Sequence, residues 1–499
     1  MNASSRPHGG NGPSLAVDTG VDLRPDFRRT IARLFIPGHE DVGPGDSRAG
    51  PVIERLLQLD EASVESALHD VDRRFAHRHR DLHGTFRAHA ELVSSRIDPS
   101  VELSDARKLL IGATFTHEYT IEGASLCNPS AVLHPLQPVS GETAFVMSVR
   151  CIGEGHRSSI GFRTGALLAD GSVRIDEPGP FPEITTAVPG LLKKSIFHTK
   201  LNDRPEDSEN AAFVLENMST YFSRADLDIG IESLAADDAT RRHTEDTIVH
   251  MRKLANESYA LEFDPATAID ERVLWPQAIS ERNGMEDARF VRFIDDSGFV
   301  TYYGTYTAFD GVNIAQHLLE TTDFRVFSAA PLAGPAATGK GLALFPRRIR
   351  GQFVALTRSD RESNGIAFSD DISCWPDAEI IQVPELAWEL VQLGNCGSPI
   401  ETREGWLVLT HGVGPMRTYA LGALLLDLDD PRRVIARTID PILAPTSEQQ
   451  NGYVPNVLYT CGGFGHGDTL VLPYAIADQS IAIATASIAK LLHSMVAAN

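Results

Sequence analysis

The sequence predicts a mainly β protein, specifically a five-bladed β-propeller with helical additions. A strand–loop–strand pattern recurs five times, beginning near Ala144, Phe299, Gln352, Gly405 and Asp468. Each copy has two β-rich runs of similar length around a polar loop that carries Arg, Asp or His. Radial repetition of small antiparallel sheets produces a series of this kind. The spacing of the copies is irregular, so periodicity alone leaves a β-sandwich as an alternative.

Helical segments are predicted before, between and after these copies. Residues 1–22 are polar and glycine-rich and are expected to be disordered. Residues 23–104 place apolar side chains three and four positions apart between charged ones, which is typical of amphipathic helices. A helical insertion is expected at about 191–261, between the first two copies, and "SIAKLLHSMVAAN" predicts a short C-terminal helix. The propeller is therefore assigned to residues 105–499.

The charge of the chain limits its partners. Its 499 residues include 67 acidic and 45 basic side chains, which gives a net charge of −22. This field would repel nucleic acid and anionic membranes, so neither is expected as a partner. A small neutral substrate, or an anion held in a local basic pocket, is compatible with it.

No metal or organic cofactor is expected. The five cysteines are odd in number and form no Cys-x-x-Cys pair, which indicates reduced thiols rather than disulfides or a zinc site. "GPAATGKG" has Gly341 where a nucleotide-binding P-loop needs Ser or Thr. The N-terminal residues lack an apolar segment behind a basic one, and no run approaches the ~18 apolar residues of a membrane helix. A cytoplasmic protein is expected.

The polar loops of the five copies are predicted to form a shared site. Loops between consecutive strands converge at one end of a propeller's channel, where ligands commonly bind. Each residue alone is equally compatible with an ordinary surface loop. The loop residues concerned are Arg150, His156, Arg157, Asp310, Arg358, Asp360, His411, Arg417 and Asp478.

A second candidate feature is the charged stretch "ERNGMEDARFVRF", which lies just before the second copy. Its Glu286, Asp287 and Arg289 could form a salt-bridged structural corner, because buried charges are costly unless paired. Alternatively, Glu286 would raise the proton affinity of Asp287, which could then act as a general acid. The residues themselves leave both interpretations open.

These motifs resemble a known enzyme family. "GMEDARF" followed by "TYYGTYTAFDG" resembles the Gly-x-Glu-Asp-Pro-Arg and Thr-Tyr-Thr-Ala signature of glycoside hydrolase family 130, which contains β-mannoside phosphorylases and β-1,2-mannosidases. Ala288 stands where the signature usually has proline. Further ordered matches run from Leu126 to the end, and the N-terminal helices and the insertion lie outside them. They include "LCNPSAVLH", "GKGLALFPRRI", "GSPIETREGWLVLTHGV" and "GYVPNVLY". The family fold is a five-bladed propeller.

The resemblance implies roles for particular residues. Asp287 is expected to be the general acid in an inverting reaction that forms no covalent glycosyl-enzyme. The residues implied in substrate binding are Asn128, Arg150, Glu286, Tyr306, Asp310 and Asp478. Those implied in binding phosphate, as co-substrate of a phosphorylase, are Lys340, Arg347, Arg358 and His411.

Three activities remain open at this point. Phosphorolysis of β-mannosides to α-mannose 1-phosphate is favoured by the basic residues on channel-facing segments. Ala315 lies near a place where phosphorylases often have arginine, so a β-1,2-mannosidase is the alternative, with Glu401 activating a water. A sugar-binding propeller without catalysis is the third. The linkage is not specified, and the N-terminal helices could cap the channel or form an interface between identical subunits.

Overall fold

The computed structural model describes residues 15–38, 48–139, 141–236 and 241–498. The disorder expected for residues 1–14 lies outside the described residues. The same expectation is wrong for residues 16–22, which belong to the β-strand Ala16–Leu23. Alternating residues of this strand are partly buried, and it pairs with a strand near the C-terminus. A polar, glycine-containing segment is therefore ordered by a partner strand that is distant in sequence.

The described residues contain nine α-helices and thirty strands. The helices are α1 (Ala49–Gln58), α2 (Glu61–Phe75), α3 (Leu82–Val93), α4 (Asp105–Thr114), α5 (Lys194–Asn202), α6 (Pro205–Leu215), α7 (Arg224–Ala236), α8 (Thr244–Ala255) and α9 (Ile488–Ser494). The strands are β1 (Ala16–Leu23), β2 (Thr30–Leu34), β3 (Thr116–Thr120), β4 (Ser125–Leu133), β5 (Thr143–Ile152), β6 (Ser158–Leu167), β7 (Val173–Ile175), β8 (Val188–Pro189), β9 (Leu192–Lys193), β10 (Tyr221–Phe222), β11 (Tyr259–Glu262), β12 (Val273–Leu274), β13 (Gly284–Ile294), β14 (Val300–Phe309), β15 (Ile314–Thr321), β16 (Val326–Pro331), β17 (Ala343–Leu344), β18 (Phe353–Thr357), β19 (Asn364–Ser369), β20 (Glu379–Gln382), β21 (Gln392–Asn395), β22 (Ile400–Glu401), β23 (Trp406–Val413), β24 (Tyr419–Leu426), β25 (Val434–Arg437), β26 (Leu458–Tyr459), β27 (Phe464–His466), β28 (Thr469–Ile476), β29 (Ser480–Ser487) and β30 (Val496–Ala497).

Most strands belong to five antiparallel units of consecutive strands, so the predicted mainly β class is confirmed. Unit 1 is β4–β7, unit 2 is β13–β16, unit 3 is β17–β20, unit 4 is β21–β25, and unit 5 is β26–β29 completed by β1. Units 1 and 2 lie in one eleven-stranded sheet, and the other three are in separate sheets. Within the described parts of the chain, no sheet closes on itself.

The five predicted strand–loop–strand copies are confirmed as antiparallel pairs. They correspond to β5–β6, β14–β15, β18–β19, β23–β24 and β28–β29. Each pair supplies the two central strands of its unit. The sequence pattern was informative here because most residues of these strands are buried, so apolar and small side chains dominate each run.

Hydrophobic clusters join the units in cyclic order. Phe162 and Phe290 share a cluster between units 1 and 2. Phe293 and Phe353 pack together between units 2 and 3, and Phe345 packs on Trp406 between units 3 and 4. The remaining clusters join unit 4 to unit 5 through Leu409 and Leu472, and unit 5 to unit 1 through Phe464 and Phe145. Each described unit therefore shares a buried cluster with the next unit along the chain, and unit 5 shares one with unit 1.

The first strand of a unit is interrupted where the units meet. Units 1 and 2 have β-bulges, with Asn128 and Asp287 in the left-handed region at φ 47° and 54°. In unit 5, the break between β26 and β27 places Cys461 N–H 2.8 Å from Pro129 O of unit 1. The freed backbone groups are thus satisfied by neighbouring units, as buried backbone groups must be.

The helices form two layers of their own. The α1–α4 layer has a core that includes Ile53, Val64 and Phe115. It extends ten residues past the expected boundary at 104, because Ser104 caps the N-terminus of α4. The α5–α8 layer lies within the expected insertion and buries Phe197 and Met251. Among the helices that the structure describes, none is both long and apolar enough to cross a membrane.

Gly397→Ala is expected to destabilise the junction of units 4 and 5 by about 1–3 kcal/mol, because overpacking forces backbone shifts. An added Cβ would lie 2.4 Å from Cys461 O and 2.5 Å from Gly462 Cα. Urea unfolding measures the change in free energy. Gly50→Ala is the matched control, because its Cβ would meet nothing within 4 Å. Equal stability of the two variants would contradict the close contact.

Candidate active site

The centre of the candidate site is the bulge in β13. Glu286 pairs with Thr307 and Arg289 pairs with Thr305, so Asp287 and Ala288 occupy the bulge. A left-handed backbone is uncommon for aspartate and is typical of sites where the surrounding structure imposes it. The bulge turns the Asp287 side chain out of the regular alternation of the strand. It remains largely buried, with 9% of the residue exposed.

Three charged side chains surround this bulge. Arg150, on β5, places one terminal nitrogen 2.6 Å from Glu286 Oε1 and the other 3.3 Å from Asp287 Oδ1. Lys340 Nζ lies 2.6 Å from Glu286 Oε2. Glu286 therefore bridges two cations, and Asp287 shares one of them. Charge-assisted bonds of this length are the stronger kind of hydrogen bond.

Arg289 supports the bulge from beneath rather than pairing with the Asp287 carboxylate. Its guanidinium donates to Asp287 O at 2.7 Å, to Cys396 O at 2.9 Å and to Tyr459 Oη at 2.9 Å. The side chain is fully buried. Arg289 therefore has the structural role that was one of the two interpretations of this stretch. Its hydrogen bonds connect units 2, 4 and 5. The Asp287 carboxylate is left facing Arg150.

His411 and Arg358 form a second pair beside the first. Arg358 donates from a terminal nitrogen to His411 Nε2 at 2.9 Å. Because Nε2 accepts, the ring proton lies on Nδ1, which faces Cys396 Sγ at 3.9 Å. Burial and the charge of Arg358 hold the pKa of His411 well below its usual value, so the ring is neutral. His411 orients Arg358 and has no free N–H for a ligand.

The two aspartates at the site differ in pKa. Burial disfavours ionisation of Asp287, but the charges of Lys340, Arg150 and Arg289 outweigh it and hold its pKa below the usual value. Burial and the neighbouring Asp287 raise the pKa of Asp478 to about 6. Pairs of carboxyl groups with pKa values pushed apart are typical of sites that transfer protons.

Two buried guanidinium N–H groups have no acceptor. In the residues that the structure describes, neither Arg150 Nε nor Arg358 Nε has a hydrogen-bond partner. Buried polar groups are almost always paired, so these two donors lack an acceptor that the described residues do not supply. Together with Lys340, these groups form a cationic surface above Asp287 that fits an anion.

Eight of the implied residues belong to this cluster or lie against it. Asn128 is buried in the unit 1 bulge, next to Cys127, whose backbone pairs with Arg150. Asp478 follows β28 and is held by Ser125 Oγ, which donates to its carbonyl oxygen. The others are Arg150, Glu286, Asp287 and Lys340, together with the Arg358–His411 pair.

The structure places four of the implied residues elsewhere. The Tyr306 hydroxyl donates to the buried Glu281 carboxylate and faces His317, so it contacts a network inside the protein. Asp310 is exposed and caps a turn through the backbone of Val312 and Asn313. Arg347 pairs with Glu401 at 2.7 Å on a half-exposed surface. Among their described contacts, none is with Asp287.

Sequence reasoning missed the residues that support the site. Tyr459 accepts from Arg289 and packs its ring 4.9 Å from that of His411. Cys396 supplies a carbonyl to Arg289 and a thiol to His411. Both lie at interruptions of first strands, and that shared position is the signal that could have identified them.

The described residues contain no group of His, Cys, Asp and Glu side chains that could hold a metal ion. The chemistry that this site's own groups offer is proton transfer from a carboxyl group beside a bound anion. Such a combination can cleave a bond whose leaving group needs a proton while the anion, or a water, attacks.

Comparisons with known proteins agree with this chemistry. The sequence model of glycoside hydrolase family 130, described as beta-1,4-mannooligosaccharide phosphorylase, matches residues 241–496. The 1,2-beta-oligomannan phosphorylase of Thermoanaerobacter sp. (strain X514) is 35% identical over 223 residues, 43% of this chain and 72% of that protein. The Beta-1,2-mannobiose phosphorylase of Listeria innocua is 33% identical over 236 residues, 46% of this chain and 64% of that protein.

The match defines the chain as a carbohydrate-active enzyme. It belongs to glycoside hydrolase family 130, since the family model spans just over half of its length. The resemblance predicted from "GMEDARF" is therefore confirmed. The solved Listeria innocua Beta-1,2-Mannobiose phosphorylase in complex with beta-1,2-mannobiose is 22% identical, with a TM-score of 0.44 over 75% of this chain and 92% of that one.

Proposed function

We propose that the chain is an inverting phosphorylase that cleaves β-mannosides with inorganic phosphate to give α-mannose 1-phosphate. The five units would be the blades of a propeller, with the first strand of each lining the channel. The observation that carries the proposal is the cationic surface of Arg150, Lys340 and Arg358 beside Asp287, including two guanidinium N–H groups without an acceptor. Phosphate is an anion with several acceptor oxygens and suits such a surface.

The proposed reaction assigns a role to Asp287 and to phosphate. A phosphate oxygen attacks the anomeric carbon from the face opposite the leaving group, and the glycosidic C–O bond breaks. The proton that originates on Asp287 goes to the leaving oxygen, either directly or through a hydroxyl of the bound mannose. The products are α-mannose 1-phosphate and the shortened acceptor. Inversion requires no covalent intermediate.

Hydrolysis is less well supported by the described contacts. A water-activating base would need a carboxylate free to accept a proton on the side opposite the acid. Glu401, the candidate from the sequence, instead accepts two charge-assisted bonds from Arg347. Glu286 is held in the same way by Arg150 and Lys340. Neither carboxylate is placed as a free base.

Phosphate dependence tests the proposal directly. Purified protein is incubated with β-1,2- and β-1,4-mannobiose, with and without phosphate, and the products are analysed for mannose 1-phosphate and mannose. We expect sugar phosphate only when phosphate is present, with at least one of the two linkages. Equal release of free mannose in phosphate-free buffer would establish hydrolysis, and binding without turnover would leave only sugar recognition.

Phosphate binding is expected to be linked to protonation of Asp287. The cations that hold the pKa of Asp287 low would be neutralised by a bound phosphate, so the pKa rises. Between the lower free pKa and the higher bound pKa, binding takes up a proton, and affinity therefore increases as the pH falls through the bound pKa. Calorimetry in buffers of different ionisation enthalpy measures this uptake. Asp287→Asn should take up less, and equal uptake would contradict the linkage.

A further inference from the structure

A cavity of about 290 Å³ lies outside the Asp287 cluster, between the helical insertion and unit 2. Lys200 of α5, Arg204 and Lys253 of α8 line it from the insertion. Ser280 and His317 line it from the β-rich part of the chain. No step of the proposed reaction uses these residues. The cavity therefore requires an explanation of its own.

Cationic side chains dominate the insertion side of the cavity. Within the described residues, the Lys200 and Lys253 ammonium groups form neither a hydrogen bond nor an ion pair. Burial lowers the pKa of Lys200, against the attraction of Asp203 and Glu257. Lys253 is exposed, whereas Lys200 is partly buried. Partly burying an unpaired ammonium is unfavourable, and a bound anion would offset that cost at Lys200.

Arg204 is oriented toward this space by a hydrogen-bonded chain. One of its terminal nitrogens donates to His250 Nε2 at 2.8 Å, and His250 Nδ1 lies 2.7 Å from the buried carboxylate of Asp207. The chain fixes the histidine tautomer, because Nε2 accepts while Nδ1 donates. It uses only part of the guanidinium, so other donors remain for a ligand.

The opposite wall carries two uncharged hydrogen-bonding side chains, Ser280 and His317. Ser280 Oγ is hydrogen-bonded to Glu257 and lies 3.3 Å from His317 Nε2. Burial lowers the pKa of His317 to about 3, so its ring is uncharged. Burial also raises the pKa of Glu257, against the hydrogen bond from Ser280. These groups can exchange hydrogen bonds with hydroxyls, which is how proteins bind the body of a sugar.

We propose that this cavity binds a sugar phosphate, with the phosphate at Lys200, Arg204 and Lys253 and the sugar hydroxyls at Ser280 and Glu257. The two walls match the two ends of such a molecule, and 290 Å³ is more space than inorganic phosphate fills. The net charge of −22 would repel anions from most of the surface. A local group of cations with unused donors therefore points more strongly to an anion site in this chain. This second site takes no part in the proposed reaction. The product of that reaction, mannose 1-phosphate, is nevertheless itself a sugar phosphate.

The test uses calorimetry on the full chain carrying Lys340→Ala, which weakens phosphate binding at the candidate active site. Mannose 1-phosphate and mannose 6-phosphate are the probes, with inorganic phosphate and mannose as comparison ligands. We expect a sugar phosphate to bind at this second site. Adding Lys200→Gln and Lys253→Gln should weaken that binding at least tenfold, because two charge-assisted contacts are lost. Adding Arg252→Gln, on the same helix and outside the cavity, should leave it unchanged.

Several results would overturn the inference. These are no binding of either sugar phosphate beyond the candidate active site, equal affinity in the Lys200/Lys253 variant, or equal affinity for mannose. If inorganic phosphate binds as tightly as the sugar phosphates, Ser280 and Glu257 do not bind the sugar. Unfolding midpoints of all variants, measured by circular dichroism, confirm that lost binding is not lost folding. Because binding is measured without turnover, this test and that of the proposed reaction can fail independently.

Discussion

Asp287→Asn is expected to lower kcat for phosphorolysis of β-mannobiose about 10²–10⁴-fold, the range typical for removing a general acid. The amide fits the same space but carries no transferable proton. It also removes a negative charge that faces Arg150 at 3.3 Å. Phosphate affinity should therefore be retained or improved, because one competing anion is gone. A loss of kcat without a loss of phosphate binding identifies a chemical role for Asp287.

The measurement is initial rate against phosphate concentration, with sugar phosphate quantified. Asp295→Asn is the matched control, because Asp295 also lies in unit 2 but in an exposed turn where it accepts backbone N–H groups. Its kcat should stay within about twofold of wild type. Rates of Asp287→Asn that equal those of the control would reject Asp287 as the acid. A substrate with a good leaving group, such as an aryl β-mannoside, should lose less activity, since it needs less protonation.

Lys340→Ala is expected to reduce kcat/KM for phosphate about 10²–10³-fold, the usual cost of removing one preorganised group that stabilises a transition-state charge. The Lys340 side chain is one-third exposed, and its ammonium group is held by Glu286 at 2.6 Å. Its loss leaves Glu286 paired with Arg150 alone. The Asp287 pKa should then rise, because Lys340 is the cation that lowers it most.

Phosphate and mannoside dependences should be measured separately for this variant. We expect kcat/KM for phosphate to fall strongly and KM for the mannoside to change little. Lys108→Ala, an exposed lysine of α4, serves as the control for removing a surface charge. An unchanged phosphate dependence in Lys340→Ala would remove this lysine from the phosphate site. A change confined to the mannoside KM would indicate a sugar-binding role instead.

Local patterns were sufficient to predict the five central strand pairs but not their packing. Short apolar runs around polar loops mark hairpins within about 25 residues, and the structure contains a hairpin at each. The cyclic packing of units depends on clusters such as Phe145 with Phe464, whose partners are far apart in sequence. Residues 16–22 were expected to be disordered because a strand that pairs only with a distant partner carries little local signal.

In the candidate site too, the sequence identified individual residues but not the contacts between residues far apart in the chain. "GMEDARF" identified Glu286 and Asp287, but their partner Arg150 lies 137 positions from Asp287, and the sequence could not show that pairing. Tyr306 shares the signature segment with Thr305 and Thr307, yet successive strand residues face opposite sides of a sheet. Its hydroxyl therefore meets Glu281 rather than the bulge. Arg347 and Glu401 were each assigned a separate role, and the structure pairs them with each other.

The pairing of β1 with β29 has a consequence for biosynthesis. Unit 5 combines residues 16–23 with residues 458–487, so it cannot be completed until the more than 430 residues between them have been synthesised. Until then, the apolar side chains of units 1 and 4 that pack on unit 5 stay exposed, and exposed apolar surface is prone to aggregate. Closing a loop of this length is also slow. Expression at reduced temperature and added chaperones should therefore raise the recombinant yield. The increase should be larger than for a protein in which segments adjacent in sequence fold one after another.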